Sequence, residues 1–271
     1  MPDLSGACVV ITRPLHQAQS LSDLIKSHGG QVILFPVIEI ADPSDTESLY
    51  RLIDRLDEFD FAIFISANAV EKGLKFIFDR RSYPVKLKTA AVGASTAKAL
   101  ASHGINVDIV PKKDFNSETL LADENLQSIQ GKKFAIFRGN GGRELLADTL
   151  RARGAVVEYA ECYRRIKPES DAKEIFDQWK NREIDAIVAT SNEGLRNLFD
   201  ILTPKGDSYL RNSQFIVISE RMVQFARELG INKDPVVTSS ASDRAIFEAI
   251  QCVFSRKYRI KELHGRKQTN T

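Results

Sequence analysis

The chain repeats itself. Residues 60–70, Asp-Phe-Ala-Ile-Phe-Ile-Ser-Ala-Asn-Ala-Val, pass from an apolar run into small polar residues and a helical pattern; residues 185–194, Asp-Ala-Ile-Val-Ala-Thr-Ser-Asn-Glu-Gly, do the same 125 positions later. Val9-Val10-Ile11-Thr12-Arg13 answers Phe134-Ala135-Ile136-Phe137-Arg138 at that same offset of 125, as does Gly29 to Gly154. Ala91-Val92-Gly93 answers Val217-Ile218-Ser219, and Gly104-Ile105 answers Gly230-Ile231, at an offset of 126. Anchors kept in one order at one spacing mean two copies of one structural unit. The period is too long for a solenoid, whose repeats run to about 50 residues, so the chain is read as a pair of domains.

Within each copy short apolar runs alternate with one-sided helical stripes. The candidate strands are 8–12, 32–35, 61–66, 89–92 and 107–110, then 134–137, 156–159, 186–190, 215–218 and 236–237. Most are apolar without alternation, the pattern of strands buried on both faces of a parallel sheet. The fold class expected is α/β, two doubly wound parallel-sheet domains joined by a two-stranded connector. The segment after residue 168 holds only three of these strands and needs the first two of the chain to fill a sheet. One domain is therefore discontinuous, residues 1–36 plus 168–255, and the other, 42–160, is inserted into it. Residues 36–42 and 160–168 are extended connectors expected to pair as a ribbon, and 256–271 a basic, frayed tail.

Composition excludes several classes. A net charge of +2 does not point to nucleic acid. The longest apolar run, 32–38, is broken by Pro36 and is too short to span a membrane. Met1-Pro2-Asp3 lacks the basic lead and apolar core of a secretory signal, and three cysteines without paired spacing suit a reducing cytoplasm. The four histidines do not cluster: His28 and His103 precede glycines at helix ends, and no metal or nucleophile–histidine spacing appears.

In doubly wound sheets ligands sit beyond the carboxyl ends of the strands. Those ends carry Thr12-Arg13, Ser66-Ala67-Asn68, Gly93 with Ser95 and Thr96, Arg138-Gly139, Thr190-Ser191-Asn192 and Ser219. Serine, threonine and asparagine are also ordinary helix caps, and Asn68 with Glu71 reads as a variant capping box. Six such turns of one character shift the reading toward an anion site built from helix-start amides. Arg13, Arg138 and Arg143 are candidate partners for carboxylates, which guanidinium binds bidentately. The run 138–143 fails as a dinucleotide fingerprint because Glu144 stands where its last glycine belongs.

Ile11-Thr12-Arg13-Pro14, residues 35–40 (Phe-Pro-Val-Ile-Glu-Ile), residues 64–70 (Phe-Ile-Ser-Ala-Asn-Ala-Val), Ala91-Val92-Gly93 followed by Thr96-Ala97, and Cys162-Tyr163-Arg164-Arg165 form an ordered set. Together they resemble the uroporphyrinogen-III synthase family over nearly the whole chain. The resemblance implies a cyclising lyase without metal or cofactor. Its substrate is the linear tetrapyrrole hydroxymethylbilane, closed with inversion of the last ring and loss of water. It also implies that Tyr163, in the second connector, is the catalytic donor to the departing hydroxyl and that Thr96 matches a family threonine. The turn after 215–218, Ser219-Glu220-Arg221-Met222, departs from the family's glycine-proline-threonine pattern, so no threonine role carries over there. The expected molecule is a cytoplasmic monomer with no nucleic-acid or membrane partner. The alternatives are a non-catalytic binder of a small polyanion and, on the Gly139 turn alone, a nucleotide-dependent oxidoreductase.

Overall fold

The computed structural model describes residues 4–111, 116–142, 144–170, 172–181, 184–203 and 206–268. In chain order the elements are β1 (Cys8–Ile11), α1 (Leu15–Ser27), β2 (Gln31–Leu34), β3 (Glu39–Ala41), α2 (Thr46–Asp54), β4 (Phe61–Phe64), α3 (Ala67–Phe78), β5 (Lys88–Ala91), α4 (Ala94–Ser102) and α5 (Ser117–Leu121). Then come β6 (Lys133–Gly139), α6 (Leu145–Ala152), β7 (Val156–Ile166), α7 (Ala172–Asn181), β8 (Ala186–Val188), α8 (Asn192–Leu202), α9 (Asp207–Asn212), β9 (Phe215–Val217), α10 (Glu220–Glu228), β10 (Val236–Val237) and α11 (Asp243–Gln268). The chain divides into two compact units, Met1–Glu39 with Lys167–Thr271, and Ile40–Ile166. It crosses between them within β3 and at the end of β7.

The first unit holds a sheet of order β10-β9-β8-β1-β2, the second one of order β3-β7-β6-β4-β5. The repeat is visible in the register. Val9 pairs with Ala186, and 125 positions along, Phe134 pairs with Phe61; Cys8 pairs with Gln31, and Lys133 with Val156. Gly29 and Gly154 both close a helix at φ 84°. Both sheets are sandwiched. In the first unit Leu21, Ile25 and Phe247 cover one face, and Leu195, Leu198 and Met222 the other. In the second, Leu146 and Leu150 face Leu52, Val70 and Leu74 across the sheet. Strands buried on both sides need the near-continuous apolar runs that the sequence has.

The strands of the two expected connectors, β3 and β7, are hydrogen-bonded neighbours at the edge of the second sheet, where β7 also stays bonded along β6 as far as Gly139↔Tyr163. Two expectations are corrected. The strand expected at 107–110 is a single bridge, Ala90↔Ile109, since the Asp108 carboxylate accepts from Thr89 N (2.7 Å) in place of a backbone partner. The expected frayed tail is helical as far as Gln268, in keeping with its lysine, arginine, glutamate and leucine content and its lack of proline. Among the described residues no helix is long and apolar enough to cross a membrane.

Candidate functional site

In each sheet the chain turns outward in opposite directions from two adjacent central strands. From β1 it goes through α1 to β2, and from β8 through α8 to β9; β1 and β8 are neighbours. From β6 it goes through α6 to β7, and from β4 through α3 to β5; β6 and β4 are neighbours. These are topological switch points, where a crevice opens beyond the carboxyl ends of the strands. Thr12-Arg13 and Thr190-Ser191-Asn192 lie at the first, Ser66-Ala67-Asn68 and Arg138-Gly139 at the second.

The second switch point is held rigidly. Phe61 and Phe134 stack at 4.6 Å on one face of β4–β6, and Phe64 and Phe137 at 4.5 Å on the other. Such pairs contribute about 0.5–1.5 kcal/mol beyond their buried area. Beyond them Ser66 caps α3, its Oγ accepting from Ala69 N at 3.1 Å; this corrects the capping box expected at Asn68 and Glu71. Ser191, its counterpart in the repeat, caps α8 by accepting from Gly194 N at 2.9 Å. Gly93 and Ser219 begin α4 and α10 in extended conformation without a side-chain cap.

Tyr163 reaches the second switch point through a β-bulge. Arg138 pairs with Glu161, but Gly139 pairs with Tyr163, so Cys162 is the extra residue. The bulge breaks the alternation of β7, and Cys162 and Tyr163 are both buried although adjacent. The Tyr163 ring lies across Gly139, where an added Cβ would sit 2.6 Å from Cε2. Its hydroxyl lies 3.2 Å from Ser66 Oγ. The side chain is only 2% exposed and lines a pocket of about 220 Å³ with Asp45, Ser48, Asn140, Glu161 and Arg164. Tyr163 thus stands in β7, within the segment expected as the second connector. Asn140 accepts from Arg165 N (3.1 Å) and fastens the strand just past the bulge. Burial pushes the Cys162 thiol up to about 12, so this sulfur is no nucleophile at neutral pH.

Arg138 is buried at the end of β6. Its guanidinium lies over the Tyr159 ring (4.5 Å to the centroid) and donates from Nη1 to Glu144 Oε1 at 3.1 Å. The Tyr159 hydroxyl donates to Glu144 Oε2. That bond first, and the Arg138 guanidinium after it, hold the Glu144 carboxyl below the usual carboxylate range. Burial, and then the same bond, raise the Tyr159 phenol. Beside them is a second pocket of about 210 Å³, walled by Ile65, Val92, Ile136 and Leu146 with Arg138 and Tyr159.

At the first switch point Thr12 is buried and donates to Val188 O at 2.8 Å, and Arg13 is ion-paired to Asp243 Oδ1 at 2.5 Å and donates to Ala241 O. Asn192 Oδ1 is enclosed without a hydrogen-bond partner. Such a buried carbonyl is costly unless something donates to it.

The family model described as uroporphyrinogen-III synthase HemD matches residues 19–248. The uroporphyrinogen-III synthase of Salmonella typhimurium is 35% identical over 247 residues, 90% of this chain and 99% of that one. That of Escherichia coli K12 is 34% identical over 245 residues with the same coverage of 90% and 99%. The chain belongs to the uroporphyrinogen-III synthase family. A mutant uroporphyrinogen III synthase of Thermus thermophilus shares its fold at TM-score 0.61 and 17% identity, covering 92% of this chain and 99% of that one. The Helicobacter pylori enzyme does so at 0.60 and 15%, covering 89% and 97%.

Against the synthase pattern, Tyr163, Ser66 and Gly139 come into contact, and Arg138 lies one residue from Gly139. Thr96 is buried in the first turn of α4, while Ser95 beside it is exposed. Arg143 lies outside the described residues. Sequence reasoning missed Glu144 and Tyr159 as the partners of Arg138. It also missed the bulge, because Cys162-Tyr163 is only one of several adjacent apolar pairs in β7, with Val156-Val157 and Tyr159-Ala160.

Proposed function

We propose that this chain is a cofactor-independent cyclising lyase, closing hydroxymethylbilane to uroporphyrinogen III with inversion of the last pyrrole ring and loss of water. The observation that carries the reading is the pair of equivalent switch points, each opened by helix-start amides suited to a polyacid. Ser66-Ala67-Asn68, Gly93, Ser95 and Thr96 in one unit, and Thr190-Ser191-Asn192 and Ser219 in the other, offer these amides to acetate and propionate groups. Thr12, Arg13, Arg138, Gly139 and Arg143 complete the proposed set, Arg138 through charge. A binder without chemistry is not favoured, because the matching relatives are synthases over nearly their full length.

The chemical demand is conformational. The linear tetrapyrrole closes unaided to the isomer without inversion, so the protein must hold the chain where the inverting route wins, which is catalysis by positioning. Tyr163 is proposed to protonate the departing hydroxyl, with Ser66 Oγ as its resting partner; a phenol can both donate and accept a hydrogen bond. The test is the isomer ratio formed from hydroxymethylbilane. Isomer III should dominate with the protein present, and formation of the un-inverted isomer alone would reject the function. The reading includes a monomer in the cytoplasm, for which sedimentation equilibrium should return the chain mass of 30.3 kDa; twice that mass would reject the monomer.

A further inference from the structure

Glu144 holds the place of a ligand. Arg138 is a charged group whose side chain is 4% exposed, whereas the carboxylate paired with it is 51% exposed. A buried guanidinium left unpaired is strongly unfavourable, so some carboxylate must stay with it. Its present partner is the solvent-facing member of the pair. Glu144 begins α6 but makes no side-chain capping bond to that helix. It follows a turn containing Gly141 and Gly142, at φ 66° and 123°. A Cβ on Gly142 would lie 3.0 Å from Arg138 Nη2, so the turn passes directly over the guanidinium.

The donors around Glu144 are already set for a carboxylate from elsewhere. Arg138 Nη1 serves one of its oxygens and the Tyr159 hydroxyl the other. The adjoining pocket of about 210 Å³ is apolar except for these two groups and Ser117. Pockets for drug-sized ligands begin near ~300 Å³, so this one suits a single ring edge with an acid arm. An apolar wall with one buried cation at its end suits a short carboxylic acid on an aromatic or aliphatic body.

Resting on the synthase reading, we propose that this pocket takes one pyrrole acetate or propionate arm of the substrate, whose carboxylate displaces Glu144 from Arg138 and Tyr159. The exchange swaps one carboxylate for another, so the guanidinium is never left uncompensated. Glu144 swings into water and taxes the affinity of every acid that competes with it.

The probe is 3-(pyrrol-3-yl)propionate, titrated calorimetrically into the full-length chain, with its carboxamide as control. The wild-type chain should bind the acid weakly and the amide not at all. Glu144→Gln should bind the acid at least about tenfold more tightly, because the tethered competitor is gone. Glu144→Ala should do the same, and Arg138→Gln should lose binding. If Arg138→Gln fails to fold, acid against amide in the two Glu144 variants still decides. Equal affinity of wild type and both Glu144 variants, or equal binding of acid and amide, overturns the proposal. The isomer assay separates this from the function: wild-type formation of isomer III without tighter binding by the Glu144 variants removes only the displacement. The binding pattern without isomer III leaves a carboxylate site and removes the synthase reading.

Discussion

Replacing Tyr163 with phenylalanine should lower the turnover of hydroxymethylbilane about 10²-fold or more, the usual contribution of a positioned general acid. Little else should change. The ring stays in its place over Gly139, and Ser66 keeps its capping bond from Ala69 N. The lost contact to Ser66 Oγ, 3.2 Å long, is worth about 1 kcal/mol of stability. KM should rise only modestly, because the ring keeps its place against Gly139 and only the hydroxyl contact to Ser66 is lost. The product mixture is the sharper readout. As the assisted route slows, unaided closure competes, so the share of the un-inverted isomer should rise, and rise further with dilution of the enzyme. Ser66→Ala offers the comparison: it removes the α3 cap, about 1 kcal/mol, but leaves the phenol. It should lower the unfolding temperature more than Tyr163→Phe does and lower turnover less. Unchanged turnover in Tyr163→Phe, with isomer III still dominant, would strike the residue from the mechanism.

Much of this architecture was legible because a repeat constrains pairing. Once Asp60 was matched to Asp185 and Arg13 to Arg138, the neighbours of β4 and β8 had to be equivalent, and the observed registers Phe61↔Phe134 and Ala186↔Val9 are. The caps were less legible: the sequence offers Asn68 with Glu71, whereas Ser66 and, 125 positions on, Ser191 do the job. What stayed hidden depends on contacts that a one-dimensional pattern does not encode. Asp108 takes a ladder position with its side chain, so an apolar run that reads as a strand pairs at a single residue. Glu144 looked like a failed glycine in a nucleotide fingerprint. Its partners, Arg138 six residues before and Tyr159 fifteen after, meet it only because α6 folds β7 back beside β6. Arg13, read as a carboxylate partner, did find one, but in Asp243 at the start of α11, 230 positions away.

Gly139→Ala should cost activity on a similar scale by a different route. Gly139 is absent from the left-handed backbone positions, so alanine is allowed there and backbone strain is not the issue. The obstacle is the Tyr163 ring. A Cβ at residue 139 would lie 2.6 Å from Cε2, 2.7 Å from Cζ and 3.1 Å from Cδ2. Comfortable carbon–carbon contact begins near ~3.5 Å, so the ring must retreat by most of an ångström. It cannot do so by rotating a flexible end, because all three atoms belong to one rigid plane set by the bulge at Cys162. Overpacking of this kind costs about 1–3 kcal/mol of stability. The hydroxyl also leaves Ser66, and a misplacement of about an ångström can cost 10²-fold in rate. A double-mutant cycle tells the two losses apart. With Tyr163→Phe as background the hydroxyl is already gone, so adding Gly139→Ala should change turnover by less than about threefold. The stability loss should recur in full, since the phenylalanine ring meets the same methyl group. Multiplicative losses in turnover would mean that Gly139 acts on the reaction by something other than the placement of Tyr163.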